Sequence, residues 1–215
     1  MSASAVSPIP ANMPTLTPHI VCRDANAAID FYVPSPDGSR VAVSLSEGGT
    51  EDGTVHIYDV ATHHQLPDVI PRVHGGTAGG DLAWSADGNG FYYTRYPREG
   101  ERPTKDLAFY QQVYYHQLGT PTAADRYELG KDLPRIAETT LAVSEDGKHV
   151  LARVANGDGG EHALYLRGPT GAWQQVSRFE DGVAEGDFGP AGQLLLLSRK
   201  GAPRGQVLAL PLAAP

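Results

Sequence analysis

Apolar positions in this chain fall in short runs that alternate with polar ones and are cut by tight turns. In residues 82–97 the apolar run Leu82-Ala83-Trp84 meets Ser85-Ala86-Asp87-Gly88, turns over Asn89-Gly90 and leaves as Phe91-Tyr92-Tyr93-Thr94-Arg95-Tyr96. Asp-Gly and Asn-Gly pairs between β-prone runs predict a hairpin, because these residues accept positive φ at little cost. The pattern has copies. Ser35-Pro36-Asp37-Gly38 leads into 40–44, Ser144-Glu145-Asp146-Gly147 leads into 149–152, and a worn copy, Gly189-Pro190-Ala191-Gly192, leads into 193–196. The turn glycines Gly38, Gly88, Gly147 and Gly192 are 50, 59 and 45 residues apart. Periods of this size in an all-β chain predict propeller blades.

Each unit reads as inner strand, Asp-Gly turn, second strand, loop, third strand, turn and outer strand. The first has strands at 41–45 and 55–60, with an outer strand beginning at 63–66. The second has 81–84, 91–96, 110–118 and 126–129; the third has 139–143, 149–154, 163–167 and 173–177. The fourth has 183–188, 193–198 and 206–212, without an outer strand. Apolar residues on both faces, as in 194–197, fit sheets covered by neighbours on each side. The expected fold is therefore all-β, a partial propeller of about four four-stranded blades. The N-terminal part reads differently. Residues 1–12 are Ser-, Ala- and Pro-rich and are expected to be a disordered tail. Residues 16–22 read as a strand, Asp24 as a helix cap, and 25–32 as a helix with Ala28, Ile29 and Tyr32 on one face and Asp30 exposed. That helix is expected to stop at Val33-Pro34.

Composition narrows the class. The 215 residues include 25 Gly and 17 Pro, which suits many tight turns and stays below the level of a disordered chain. A net charge of −8 without a basic stripe argues against a nucleic-acid partner. The lone Cys22 leaves no internal disulfide and no multi-cysteine zinc site. No apolar run approaches the roughly 18–20 residues that cross a bilayer, and no secretory leader is read at the start. The expectation is a cytoplasmic chain with no membrane partner.

Several stretches invite a functional reading. His63-His64 resembles half of a metal site, but adjacent strand residues face opposite ways, so a solvated turn is favoured. The loop 156–161 is acidic and glycine-rich, yet its ligand alternation for calcium breaks at Gly160, and a hairpin loop is preferred. The glycine run 75–80 has no following lysine or helix to make a phosphate cradle. Tyr92, Tyr93, Tyr96, Tyr110, Tyr114 and Tyr115 offer stacking surfaces, but are expected to fill the gaps between blades. Arg95 is expected to pair with an acid of the next blade, and 98–106 to be a solvated excursion. No catalytic, cofactor-binding or metal-binding residue is assigned, and no cofactor is expected.

From residue 32 to 215 the chain resembles the N-terminal propeller of the prolyl oligopeptidase family of serine peptidases. The resemblance rests on Val33-Pro34-Ser35-Pro36-Asp37-Gly38, Glu51-Asp52-Gly53-Thr54-Val55 and Leu66-Pro67-Asp68-Val69-Ile70. It continues through Ala83-Trp84-Ser85-Ala86-Asp87-Gly88, Phe91 to Pro97, Gln112-Val113-Tyr114-Tyr115-His116-Gln117-Leu118-Gly119-Thr120 and Ser144-Glu145-Asp146-Gly147. It implies a propeller that caps an α/β-hydrolase domain and restricts access to short peptides cut after proline. The family's nucleophile lies on a Gly-x-Ser-x-Gly elbow, and these 215 residues contain none, so no catalytic residue is carried over. Residues 13–32 resemble instead the opening strand and helix of glyoxalase/bleomycin-resistance (vicinal oxygen chelate) proteins, with His19 near that family's first metal ligand. Three segments are thus expected: a tail (1–12), a glyoxalase-like remnant (13–32) and a propeller fragment (33–215). The expected role is non-catalytic substrate gating, inactive alone. The partner is the α/β-hydrolase domain or a second propeller fragment, with a peptide as the parent family's substrate. Two alternatives are a self-associating propeller-type binding module and a remnant glyoxalase-like protein.

Overall fold

The computed structural model describes residues 27–190 and 192–212. The predicted tail, the strand at 16–22, the cap Asp24 and His19 lie outside the described residues. Four antiparallel sheets follow one another along the chain. The first holds β1 (Ala27–Pro34), β2 (Arg40–Glu47), β3 (Gly53–Asp59) and β4 (Gln65–His74). The second holds β5 (Leu82–Trp84), β6 (Gly90–Arg95), β7 (Gln112–Gln117) and β8 (Arg126–Leu129). The third holds β9 (Ala137–Val143), β10 (Val150–Asn156), β11 (His162–Arg167) and β12 (Trp173–Ser177). The fourth has three strands, β13 (Val183–Gly189), β14 (Gln193–Ser198) and β15 (Gln206–Pro211). In each sheet the strands are hydrogen-bonded in chain order, the meander expected of a propeller blade. No helix among the described residues is long and apolar enough to cross a membrane.

The strands at 41–45 and after coincide with the sequence pattern, but the N-terminal helix does not. Residues 27–34 are the first strand of the first sheet, at its edge, paired with β2 from Ala27↔Glu47 to Pro34↔Val41. Phe31 and Val33 alternate toward the second sheet, and a bulge between Ile29 and Phe31 breaks the period the helix reading relied on. A long-range partner strand outweighs weak local helix propensity here. Asp30 is not on an exposed helical face. Its carboxylate is buried and accepts the hydroxyls of Ser44 (2.8 Å) and Ser46 (2.7 Å). The strand crosses the expected segment boundary at Tyr32/Val33 without interruption.

The core is a series of seams. Ala42, Val55, Ile57 and Ile70 of the first sheet pack on Leu82, Trp84, Phe91 and Tyr93 of the second. Ala83, Tyr92 and Val113 meet Leu141, Val150 and Ala152 of the third, and Leu151 and Leu164 meet Val183, Leu194 and Leu196 of the fourth. Four of the six clustered tyrosines fill the gaps between sheets, whereas Tyr96 and Tyr110 lie in the β6–β7 connection. Tyr93 and Tyr114 face the first seam, and Tyr92 and Tyr115 the second.

Candidate functional site

Because each sheet is an antiparallel meander, its connections alternate between two ends of the molecule. At one end lie the tight turns, such as Ser35–Ser39 within the first sheet and Ser85–Asn89 within the second. At the other end lie the β2–β3, β6–β7 and β10–β11 loops, together with the links that carry the chain from sheet to sheet. The longest connection, 96–111, belongs to this second end, and long loops held by a rigid scaffold are where binding sites concentrate.

Four of these connections enclose a cleft of about 240 Å³. Thr77 and Ala78 come from the β4–β5 link, Tyr96 and Phe109 from the β6–β7 loop, and Arg135 and Ile136 from the β8–β9 link. Glu138 of β9 and Asp158 of the β10–β11 loop add carboxylates. The glycine run 75–80 explains how the first wall approaches so closely. A Cβ on Gly75 would stand 2.8 Å from the Tyr96 ring, and one on Gly80 would stand 2.1 Å from the Val73 carbonyl oxygen. Tyr96 is buried and donates its hydroxyl to the Gly79 carbonyl at 3.0 Å. The Thr77 hydroxyl donates to the carbonyl of Ala108, closing the wall against the β6–β7 loop.

The opposite wall is fixed by Arg135. Its guanidinium lies 3.5 Å from the Phe109 ring centroid, donates to Asp106 at 3.0 Å and reaches the Lys105 carbonyl at 3.3 Å. Two buried side chains tie the floor to the third sheet. Gln111 donates to the Gly79 carbonyl at 3.2 Å and accepts from the Thr139 amide at 3.0 Å. Asp81 accepts from the Leu141 amide at 2.7 Å and the Leu82 amide at 2.8 Å. Burial pushes the Asp81 carboxyl above the usual carboxylate range, against those hydrogen bonds. Ile136 is 47% exposed at the mouth. The cleft has an apolar and aromatic wall beside two carboxylates, and its lining includes no histidine, serine or cysteine. It is suited to holding a side chain, with no nucleophile and base set for covalent chemistry.

The other sequence candidates are scattered. His63 and His64 are exposed in the β3–β4 turn, His63 at φ +60°. Residues 157–161 connect β10 to β11. Arg95 does not pair across a seam. Its carboxylate partner is Glu101 of its own sheet's β6–β7 loop, at 3.1 Å, and it stacks 4.2 Å from the Tyr114 ring. The segment 98–106 is largely exposed, as expected, and Glu101 tethers it by accepting the Arg98 amide at 2.8 Å. Among the described residues no group of three or more His, Cys, Asp or Glu side chains is placed to hold a metal ion. Sequence reading missed the cleft, since its walls come from four separate connections, and it missed two buried polar clamps at the seams. In the first, His116 lies between Asp125 (Nδ1 to Oδ1, 2.6 Å) and Asp68 (Nε2 to Oδ1, 3.0 Å). In the second, Glu128 accepts from Arg167 at 3.1 Å and from the Trp173 indole at 2.9 Å.

Residues 16–215 match the family described as prolyl oligopeptidase, N-terminal β-propeller domain. The chain is 26% identical over 183 residues to prolyl oligopeptidase A of Galerina marginata, covering 74% of this chain and 24% of that protein. It is 30% identical over 132 residues to the prolyl endopeptidase of Elizabethkingia meningoseptica, covering 60% of this chain and 18% of that one. Among solved structures, one from a study of two prolyl endopeptidases superposes with a TM-score of 0.73 at 22% identity, over 87% of this chain and 27% of that one. Prolyl oligopeptidase B from Galerina marginata, bound to a 35-residue substrate, superposes with a TM-score of 0.72 at 20% identity, over 88% and 28%. The chain thus spans about a quarter of the length of the curated relatives it matches. The propeller match runs through the segment that resembled a glyoxalase, and with β1 in the first sheet that second resemblance is not supported.

Proposed function

The chain belongs to the prolyl oligopeptidase family, within its N-terminal β-propeller domain, and from that premise we propose that it is the non-catalytic, access-limiting part of a prolyl oligopeptidase-like serine endopeptidase. The observation that carries this reading is the propeller-domain match over residues 16–215, joined to a fold in which four successive blades are formed. In the whole protein its partner is an α/β-hydrolase domain and its substrate a peptide. The cleft at the long-loop end is the surface such a peptide meets, with an apolar side chain against Phe109 and Ile136. Its geometry supports holding a substrate, and its residues supply no hydrolytic set.

Two assays on the purified chain test this. Incubated with a chromogenic proline-containing peptide, it is expected to release no product above the blank. Proline-specific cleavage abolished by a serine-directed inhibitor would overturn the non-catalytic role. Titrated with an uncleaved proline-containing peptide and followed by amide NMR, Thr77, Tyr96, Phe109 and Glu138 are expected to shift together. Shifts confined to other loops would move the substrate surface elsewhere.

A second reading, a self-associating propeller module, is favoured by where apolar surface is left uncovered. Among the described residues, the exposed large apolar side chains include Ile29, Tyr32 and Val69 on the first sheet and the paired Leu197 and Val207 on the fourth. The two end sheets are therefore the ones lacking a neighbour. Two copies packed end sheet to end sheet would give eight blades, within the range of closed propellers. Light scattering during size exclusion reads this directly: a discrete two-copy mass supports it, and a single-copy mass rules it out.

A further inference from the structure

The first seam is joined by a charge that can be removed. His116 on β7 is fully buried, and the side chains of Asp68 on β4 and Asp125, just before β8, are 4% and 2% exposed. Both imidazole nitrogens face carboxylate oxygens, at 2.6 Å and 3.0 Å. A neutral imidazole has one N–H and one lone pair, so one of these contacts would set a lone pair against a carboxylate. The imidazolium donates to both. Each carboxylate has a further donor: the Gly119 amide donates to Asp68 Oδ1 at 2.6 Å, and the Tyr93 hydroxyl donates to Asp125 Oδ2 at 2.6 Å. The Phe91 ring covers the imidazole, with centroids 5.2 Å apart.

We propose that Asp68, His116 and Asp125 form a proton-dependent bolt between the first and second sheets, closed while the imidazolium bridges the two carboxylates and released when its proton is lost. The groups that face His116 are Asp68 from the first sheet and, from its own sheet, Asp125 and the Tyr93 hydroxyl that Asp125 holds. Asp68 belongs to one sheet and the other three to the next, so this contact is a buried ionic crossing of the seam, beside neutral ones such as the Trp84 indole to the Val33 carbonyl at 3.0 Å. The next seam is built differently. Glu128 there is held by the guanidinium of Arg167, which keeps its charge at any pH a protein meets. The third seam likewise uses Arg153, with Glu185 at 3.3 Å. A rise in pH past neutrality therefore acts on the first seam and leaves these two arginine contacts in place.

Burial pushes the imidazole toward its neutral form, but the hydrogen bonds and charges of Asp125 and Asp68 outweigh it and hold the His116 pKa above the ordinary imidazole value. With the folded pKa raised, the bolt contributes fully below the unfolded value of about 6.5 and is lost as pH rises through the raised one. The seam is thus expected to loosen on the alkaline side.

The test follows the ring nitrogens of the full chain, labelled with ¹⁵N-histidine, by long-range NMR from pH 5 to 10. His116 is expected to keep both nitrogens protonated above the unfolded imidazole value of about 6.5. Asp68→Asn and Asp125→Asn are each expected to lower its half-protonation point by about one pH unit or more. Urea unfolding at the same pH values is expected to show the wild-type midpoint falling above pH 7, and His116→Gln with a flatter profile. A neutral His116 at pH 6, or no movement in the two asparagine variants, would overturn the bolt. Should His116→Gln fail to fold, the asparagine variants decide the matter alone, since a merely structural contact would leave the titration in place.

Discussion

The same few atoms build three of the turns. In each Ser-x-Asp-Gly stretch the serine hydroxyl donates to the aspartate two residues on: Ser35 to Asp37 at 2.7 Å, Ser85 to Asp87 at 2.6 Å and Ser144 to Asp146 at 2.7 Å. The aspartate then accepts the amide two residues beyond it, at 3.0, 3.0 and 3.1 Å. The serine oxygen accepts the amide five residues after itself, and the glycine between takes φ of +69°, +64° and +69°. Glycine is required there because an L side chain is strained in that region. Ser85→Ala removes the donor to Asp87 and the acceptor for Gly90, and is expected to cost about 1 kcal/mol in urea unfolding. The serine hydroxyl and the following amide hold the Asp37 carboxyl down at about 2. With a lowered folded pKa, its contribution is in place above the unfolded value and lost as pH falls through about 2. The stability difference between the wild type and Asp37→Ala should therefore be constant near pH 5 and vanish below pH 2.

Strands could be read from the sequence where a local turn announced them, and failed where only a distant partner did. The runs at 91–96, 193–198 and 173–177 sit beside turns or within alternating patterns, and all three are strands. β1 has no turn before it among the described residues, and its bulge between Ile29 and Phe31 disguises the two-residue period. The seam clamps were illegible for a related reason. Asp68 and His116 are 48 positions apart, and only the packing of two finished sheets brings them together. Asp30 tests the strand assignment. As a strand residue its carboxylate serves two buried hydroxyls, Ser44 and Ser46, which Asp30→Ala would leave without their acceptor. A loss of about 2 kcal/mol is expected from urea unfolding, whereas an exposed helical aspartate would tolerate the change within about 0.5 kcal/mol.

The molecule as a whole is an arc of sheets, each stabilised by the next, and the fourth sheet shows what the end of such an arc exposes. In β14, Leu194 and Leu196 point into the third sheet and are buried, whereas Leu197 is 40% exposed. Leu197 pairs with Val207 of β15, itself 69% exposed, so the two form one apolar patch on the outer face. Opposite faces of one strand should then respond in opposite ways to the same substitution, because successive side chains point to opposite sides of a sheet. Leu197→Glu combined with Val207→Glu places charge in water and on an edge prone to pairing, and is expected to reduce light scattering while leaving the circular dichroism unchanged. Leu194→Glu puts an unpaired carboxylate into the third seam and is expected to unfold at least the fourth sheet, seen as lost β signal and a lower urea midpoint. If the outer-face pair instead lost structure and the inner variant did not, the orientation of the fourth sheet would be reversed, and with it the end face proposed for association between copies.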